Sequence, residues 1–253
     1  MKIAYYQQDI VWEDTEANLE KIKNVAENLK PDTSLFILPE MFHAGFTMDP
    51  GKVAEPMDGR VVTFLKDLAS RHNMSVIGSA VISEDDKYYN RLLVVSHDGK
   101  VEKYDKRHLF SVGGEDKSYQ PGDEKLVTAV KDVRILPLIC YDLRFPVWSR
   151  QQNDYDLLIY IANWPASRSE VWKTLLKARA IENQSYVIGV NRVGRDETIT
   201  YSGDSMVIDA KGRVVSDAKD DEGVYYAGLD IEELKTFRKR FPVWKDADRF
   251  KIL

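Results

Sequence analysis

Residues 133–148 read Val-Arg-Ile-Leu-Pro-Leu-Ile-Cys-Tyr-Asp-Leu-Arg-Phe-Pro-Val-Trp, and no other stretch constrains the fold as much. A run of mostly branched apolar residues stops at Cys140, the only cysteine in the chain. Asp142, Arg144 and the Phe145-Pro146 step follow at once. Apolar runs bounded by breakers read as buried strands, and proline disfavours continuation of the segment before it. The pattern predicts a central strand ending at residue 139, with Cys140 opening a turn. In open α/β sheets, ligands bind beyond the carboxyl ends of strands. Position alone leaves Cys140 two roles. It is a nucleophile, or it is a small buried hydrophobe, the commoner state of a free cysteine.

Strands and helices alternate along the rest of the chain. Short apolar runs predict strands over 3–8, 34–38, 75–82, 88–96, 101–104, 126–130, 156–162, 186–190, 205–209, 214–216 and 224–229. Helical spacing of apolar residues predicts helices over 15–29, 59–71, 169–182 and 231–239, the first capped by Thr15. Asp98-Gly99 and Ala210-Lys211-Gly212 are hairpin signals. Residues 106–122 are polar, rich in glycine and read as a loop. No linker or repeat interrupts the pattern, so one α/β domain with a mixed sheet or two packed sheets is expected.

Charge narrows the function. A net charge of -5 argues against a nucleic-acid partner, which selects a basic face. One cysteine forms no intrachain disulfide, the start of the chain lacks the apolar core of a signal peptide, and no run is long enough to span a bilayer. A cytoplasmic location is expected. Four scattered histidines and one cysteine have no zinc-site spacing, so no metal is expected. Phosphate-binding glycine loops and the Gly-x-Ser-x-Gly elbow are absent.

Three segments place a reactive side chain just after a strand. Pro39-Glu40-Met41-Phe42 carries a carboxylate, Lys106-Arg107-His108-Leu109-Phe110 an ammonium, and Cys140-Tyr141-Asp142 the thiol. Taken singly, Glu40 reads as a solvated strand end and Lys106 as part of a basic turn. Taken together, they converge if they lie at one end of one sheet. The three words, in this order, resemble the catalytic motifs of the nitrilase superfamily of carbon–nitrogen hydrolases. Residues 160–165, 178–184 and 240–248 resemble its ω-amidase branch, especially the bacterial 2-oxoglutaramate amidase members.

The resemblance covers nearly the whole chain and implies a four-layer αββα sandwich, a single domain over 1–253. It implies a homodimer, with the 240–253 tail at the interface. It gives Cys140 the role of nucleophile, Glu40 that of general base, and Lys106 that of the cation favouring the thiolate and the oxyanion. The backbone N–H of Tyr141 is the second oxyanion donor. Glu115 matches a second glutamate that orients Lys106, with Asp116 as its competitor. Arg144 is a candidate for a substrate carboxylate, against a salt bridge to Asp142. Trp164 and Phe42 are candidates for the pocket wall. No cofactor is implied. The expected substrate is a small amide such as 2-oxoglutaramate or 2-oxosuccinamate. A nitrilase, a carbamoyl-amine or deaminated glutathione amidase, and a binding protein on an inactive scaffold remain alternatives.

Overall fold

The computed structural model describes residues 1–248 and 250–252. In chain order the elements are β1 (Lys2–Gln7), α1 (Thr15–Ala26), β2 (Leu35–Ile37), α2 (Arg60–Arg71), β3 (Ser75–Glu84), β4 (Lys87–Val95), β5 (Val101–Asp105) and α3 (Glu115–Ser118). They continue as β6 (Thr128–Val130), β7 (Val133–Ile139), β8 (Leu157–Ala162), α4 (Ser169–Asn183), β9 (Tyr186–Asn191), β10 (Val193–Arg195) and β11 (Thr200–Ser202). The last are β12 (Met206–Ile208), β13 (Val214–Asp217), β14 (Gly223–Gly228) and α5 (Ile231–Arg240).

Two six-stranded sheets form, in the orders β14-β1-β2-β3-β4-β5 and β13-β12-β9-β8-β7-β6. Strand side chains alternate between faces, and both faces are buried here. In β1, Ile3 and Tyr5 face the second sheet, while Ala4 and Tyr6 pack under α1 and α2. The second sheet is covered on its outer face by α4 and α5 through Trp172, Leu176, Ala180 and Leu234. A side-chain carbon at Gly189 would sit 2.4 Å from Leu176, so glycine there lets α4 lie close on β9. The result is the four-layer αββα sandwich.

Strand direction decides where the site falls. β1, β2 and β3 are mutually parallel, and the β3–β4 and β4–β5 pairs are antiparallel. β5 therefore runs with β2, and the carboxyl ends of both lie on one edge. In the second sheet β7, β8 and β9 are parallel. Their carboxyl ends meet that edge from the opposite sheet.

Local signals explain the differences from the sequence reading. Asp14, not Thr15, caps α1 by accepting from the Ala17 N–H at 3.0 Å, and the helix stops at Ala26 rather than 29. Thr15 is inside the helix, with its hydroxyl 3.2 Å from Nδ1 of the fully buried His43. The 106–122 segment contains the short helix α3. The β10–β11 hairpin joins two three-residue strands, too short for the sequence pattern to mark.

Candidate active site

Glu40 follows β2, where Leu38 still extends the strand through its N–H to Ile77 at 2.7 Å. Met41 then takes φ +45°, a left-handed conformation costing about 1–2 kcal/mol in a non-glycine residue. Its N–H donates to Ser79 Oγ at 2.9 Å, which holds the turn. The Glu40 side chain is fully buried. Oε1 accepts from Lys106 Nζ at 2.9 Å and from Asn90 Nδ2 at 2.7 Å, and Oε2 accepts from the Asn163 N–H at 2.8 Å. Asn163 Nδ2 also donates to the Glu40 carbonyl at 2.6 Å. The carboxylate is locked from both sheets, because Asn90 belongs to β4 and Asn163 follows β8.

Lys106 follows β5 and is fully buried. Its Nζ lies 2.9 Å from Glu40 Oε1 and 2.9 Å from both oxygens of Glu115. Glu115 starts α3, is itself buried, and accepts from the Phe110 N–H at 2.6 Å. Asp116 points to solvent, so Glu115 is the acid that enters the cluster. Burial pulls the lysine pKa down. The charges of Glu115 and then Glu40 outweigh it and hold Lys106 above the ordinary lysine range.

Cys140 opens a 3-10 turn, Cys140–Arg144, at the end of β7, with φ +42°. Asp142 fixes that turn. It accepts from the Ile139 N–H at 3.0 Å, the Tyr104 hydroxyl at 2.7 Å, and both the N–H (3.1 Å) and Nδ1 (2.7 Å) of His108. The Cys140 turn is thereby tied to the turn carrying Lys106. Burial, followed by the charge of Glu40, pushes the Cys140 thiol well above its ordinary pKa, and Lys106 opposes this only in part. Lys106 acts in the direction that favours the thiolate, but burial and Glu40 outweigh it. One ammonium faces two carboxylates, so a thiolate would add a further negative charge to a buried, already anionic cluster.

The three motifs do converge, but from two facing sheets rather than one. They floor a cleft of about 450 Å³ whose walls include Phe46, Phe110, Tyr141, Trp164, Ile199 and Tyr201. Glu40, Lys106, Cys140, Asn163, Arg144 and Arg168 line it as well. Phe42 does not. It packs in the core under α2, 2.8 Å from where a side-chain carbon at Gly78 would stand, and Phe46 and Phe110 provide the aromatic wall instead. Arg144 makes no salt bridge to Asp142, whose oxygens are already taken; its guanidinium lies 5.1 Å from the Trp164 ring centre. Sequence reasoning missed Asn90, although a lone amide in an apolar strand was a visible signal. It also missed Arg168, Ile199 and Tyr201, for which the pattern held none.

Fold and site together define a class: a nitrilase-type sandwich with a cysteine at a strand end, beside a buried acid–lysine–acid cluster. The chain belongs to the carbon–nitrogen hydrolase family, whose model matches residues 2–239. Omega-amidase YafV of Yersinia enterocolitica is 43% identical over 255 residues, covering 100% of this chain and 99% of that one. The 2-oxoglutaramate amidase of Bacillus subtilis is 31% identical, covering 96% of each. Among solved structures, XC1258 from Xanthomonas campestris, a CN-hydrolase superfamily protein with an arsenic adduct in its active site, superposes with a TM-score of 0.97 at 39% identity, covering 100% and 99%.

The cluster makes a stability prediction. Lys106→Met leaves two buried carboxylates unpaired and should cost about 3–5 kcal/mol in denaturant unfolding at pH 8. Unpaired buried carboxylates have raised pKa values, so one gains a proton as the pH falls and the deficit should shrink by pH 5. An unchanged, pH-independent stability would contradict the charge assignment.

Proposed function

We propose that the protein is an ω-amidase that hydrolyses the terminal amide of short 2-oxo dicarboxylic acid monoamides, 2-oxoglutaramate and 2-oxosuccinamate, to the 2-oxo acid and ammonia. One observation carries this reading: the cleft is polarised. Its floor joins Cys140 to the Glu40–Lys106–Glu115 cluster, and its wall carries the Arg144 guanidinium, which has no carboxylate partner among the described residues. An amide suits the floor, and a carboxylate suits the wall. The likeness to the Yersinia omega-amidase and the Bacillus 2-oxoglutaramate amidase supports the same substrate class.

In this mechanism the neutral Cys140 thiol attacks the amide carbon as Glu40 takes its proton. The oxyanion is held by Lys106 Nζ and the Tyr141 backbone N–H, each such donor being worth about 3 kcal/mol. Glu40 returns the proton to the departing nitrogen, ammonia leaves, and a thioester remains on Cys140. Glu40 then removes a proton from water, which attacks the thioester; the C–S bond breaks, Glu40 returns that proton to the Cys140 sulfur, and the carboxylic acid is freed. Glu115 keeps Lys106 aimed through its two 2.9 Å bonds. Trp164 walls the cleft. Cytoplasmic residence suits chemistry that depends on a reduced thiol.

We also infer a homodimer formed through one surface. A shallow depression joins Pro146, Val147 and Arg150 beside the nucleophile turn to Glu182, Val243 and Phe250. Val147 and Phe241 are 52% and 57% exposed. Exposed or half-buried apolar side chains beside the Cys140 turn and at Val243 and Phe250, among charged neighbours, suit a partner.

Two measurements test these readings. Cys140→Ala should lower ammonia release from 2-oxoglutaramate by about 10³-fold or more; undiminished turnover sinks the nucleophile assignment. Preferential hydrolysis of nitriles or carbamoyl amines by the unaltered enzyme would replace the substrate class. In sedimentation, the unaltered chain should run as a dimer and Val147→Asp should shift it toward monomer; a monomeric unaltered chain contradicts the assembly.

A further inference from the structure

Arg168 lines the cleft as well. It ends a 3-10 turn, Ala166–Arg168, just before α4. Its backbone is fixed: the N–H donates to the Pro165 carbonyl at 3.0 Å, and its carbonyl accepts from Trp164 Nε1 at 2.9 Å. Its guanidinium carbon lies 5.4 Å from the Phe110 ring centre, as that of Arg144 lies 5.1 Å from Trp164. Both rings line the cleft. Arg91, Arg134, Arg179 and Arg238 are paired with carboxylates in this fold. Arg144 and Arg168 have no such partner among the described residues. The cleft thus holds two unpaired guanidiniums in an otherwise aromatic and apolar wall.

A single substrate carboxylate needs only one bidentate guanidinium. The second defines what may stand next to that carboxylate. Guanidinium is donor-only, with no acceptor atom. A carboxylate beside a 2-oxo group presents acceptors alone, so two donor forks can satisfy it. A carboxylate beside a 2-ammonium group presents a cation and three donors to two cations and their donors. From this we infer that Arg168 is a specificity-determining residue. With Arg144 it selects an acceptor-only 2-oxo acid end and rejects the 2-amino acid amides glutamine and asparagine, which carry the same terminal amide. The inference rests on the ω-amidase reading and adds the residue that separates these two substrate classes.

The test measures kcat and KM for ammonia release by the unaltered enzyme, Arg168→Gln and Arg168→Lys. The substrates are 2-oxoglutaramate, glutaramate, glutamine and the uncharged propionamide. Arg168→Gln should raise KM for 2-oxoglutaramate about 10- to 100-fold, the range of a lost charge-assisted contact, with kcat within about 3-fold. The preference for 2-oxoglutaramate over glutamine should shrink at least about 10-fold, glutaramate should lose less than 2-oxoglutaramate, and propionamide should lose less than about 3-fold. Arg168→Lys, which keeps the charge without the fork, should recover part of the preference. An equal loss on all four amides assigns Arg168 a structural role at the start of α4 and overturns the inference. So does an unchanged preference in Arg168→Gln while the unaltered enzyme turns over 2-oxoglutaramate. An unaltered enzyme that hydrolyses propionamide but not 2-oxoglutaramate removes the ω-amidase reading itself, and the inference falls with it.

Discussion

The ammonium of Lys106 stands between two buried carboxylates, 2.9 Å from each, and the remaining site geometry is arranged around that imbalance. Burying one cation and two anions is tolerable only when every oxygen finds a donor. Here the donors come from three elements besides the lysine: Asn90 on β4, the Asn163 backbone after β8, and the Phe110 N–H before α3. Loosening any of them leaves charge uncompensated in a medium of low dielectric. The cluster is therefore held by donors from both sheets. Burial first, and the Glu40 charge second, hold the neighbouring thiol above its ordinary range, and in the proposed mechanism proton transfer to Glu40 accompanies attack.

Topology supplies the convergence. Parallel strands of two facing sheets end on a common edge, as ligand sites in α/β proteins do. Glu40 and Lys106 come from one sheet, and Cys140 and Asn163 from the other. Two residues with positive φ, Met41 and Cys140, turn the chain sharply at the strand ends. Strain of this kind persists where surrounding structure fixes it. Asp142 does so for the cysteine turn, through His108 and Tyr104, and Ser79 does so for the glutamate turn.

Much of this was legible in the residues. Apolar runs ending in Pro39-Glu40, Lys106 and Cys140 marked the strand ends, and their local words carried the family. Strand existence was clearer than strand partnership, because alternating burial says that a face is covered and not by what. Hence the residues alone left a mixed sheet and two packed sheets open, and the structure has two. Phe42 was placed in the pocket because it adjoins Glu40 in sequence, but the left-handed turn at Met41 sends it into the core beneath α2. Ile199 and Tyr201 were invisible because their hairpin is polar and short. Asn90 was visible as a lone amide in an apolar strand, but its role and that of Arg168 depend on groups supplied by distant segments.

The resting protonation of Cys140 is the point on which this description turns, and the chain's single cysteine makes it directly measurable. Thiolate absorbance near 240 nm, followed against pH in the substrate-free protein with Cys140→Ala as the blank, reports on that sulfur alone. Burial and the net negative cluster require the thiolate signal to be absent at pH 7 and to emerge only above the ordinary cysteine range of about 8.5. A thiolate already present at neutral pH would contradict it, and would mean that Lys106 outweighs burial and Glu40 together.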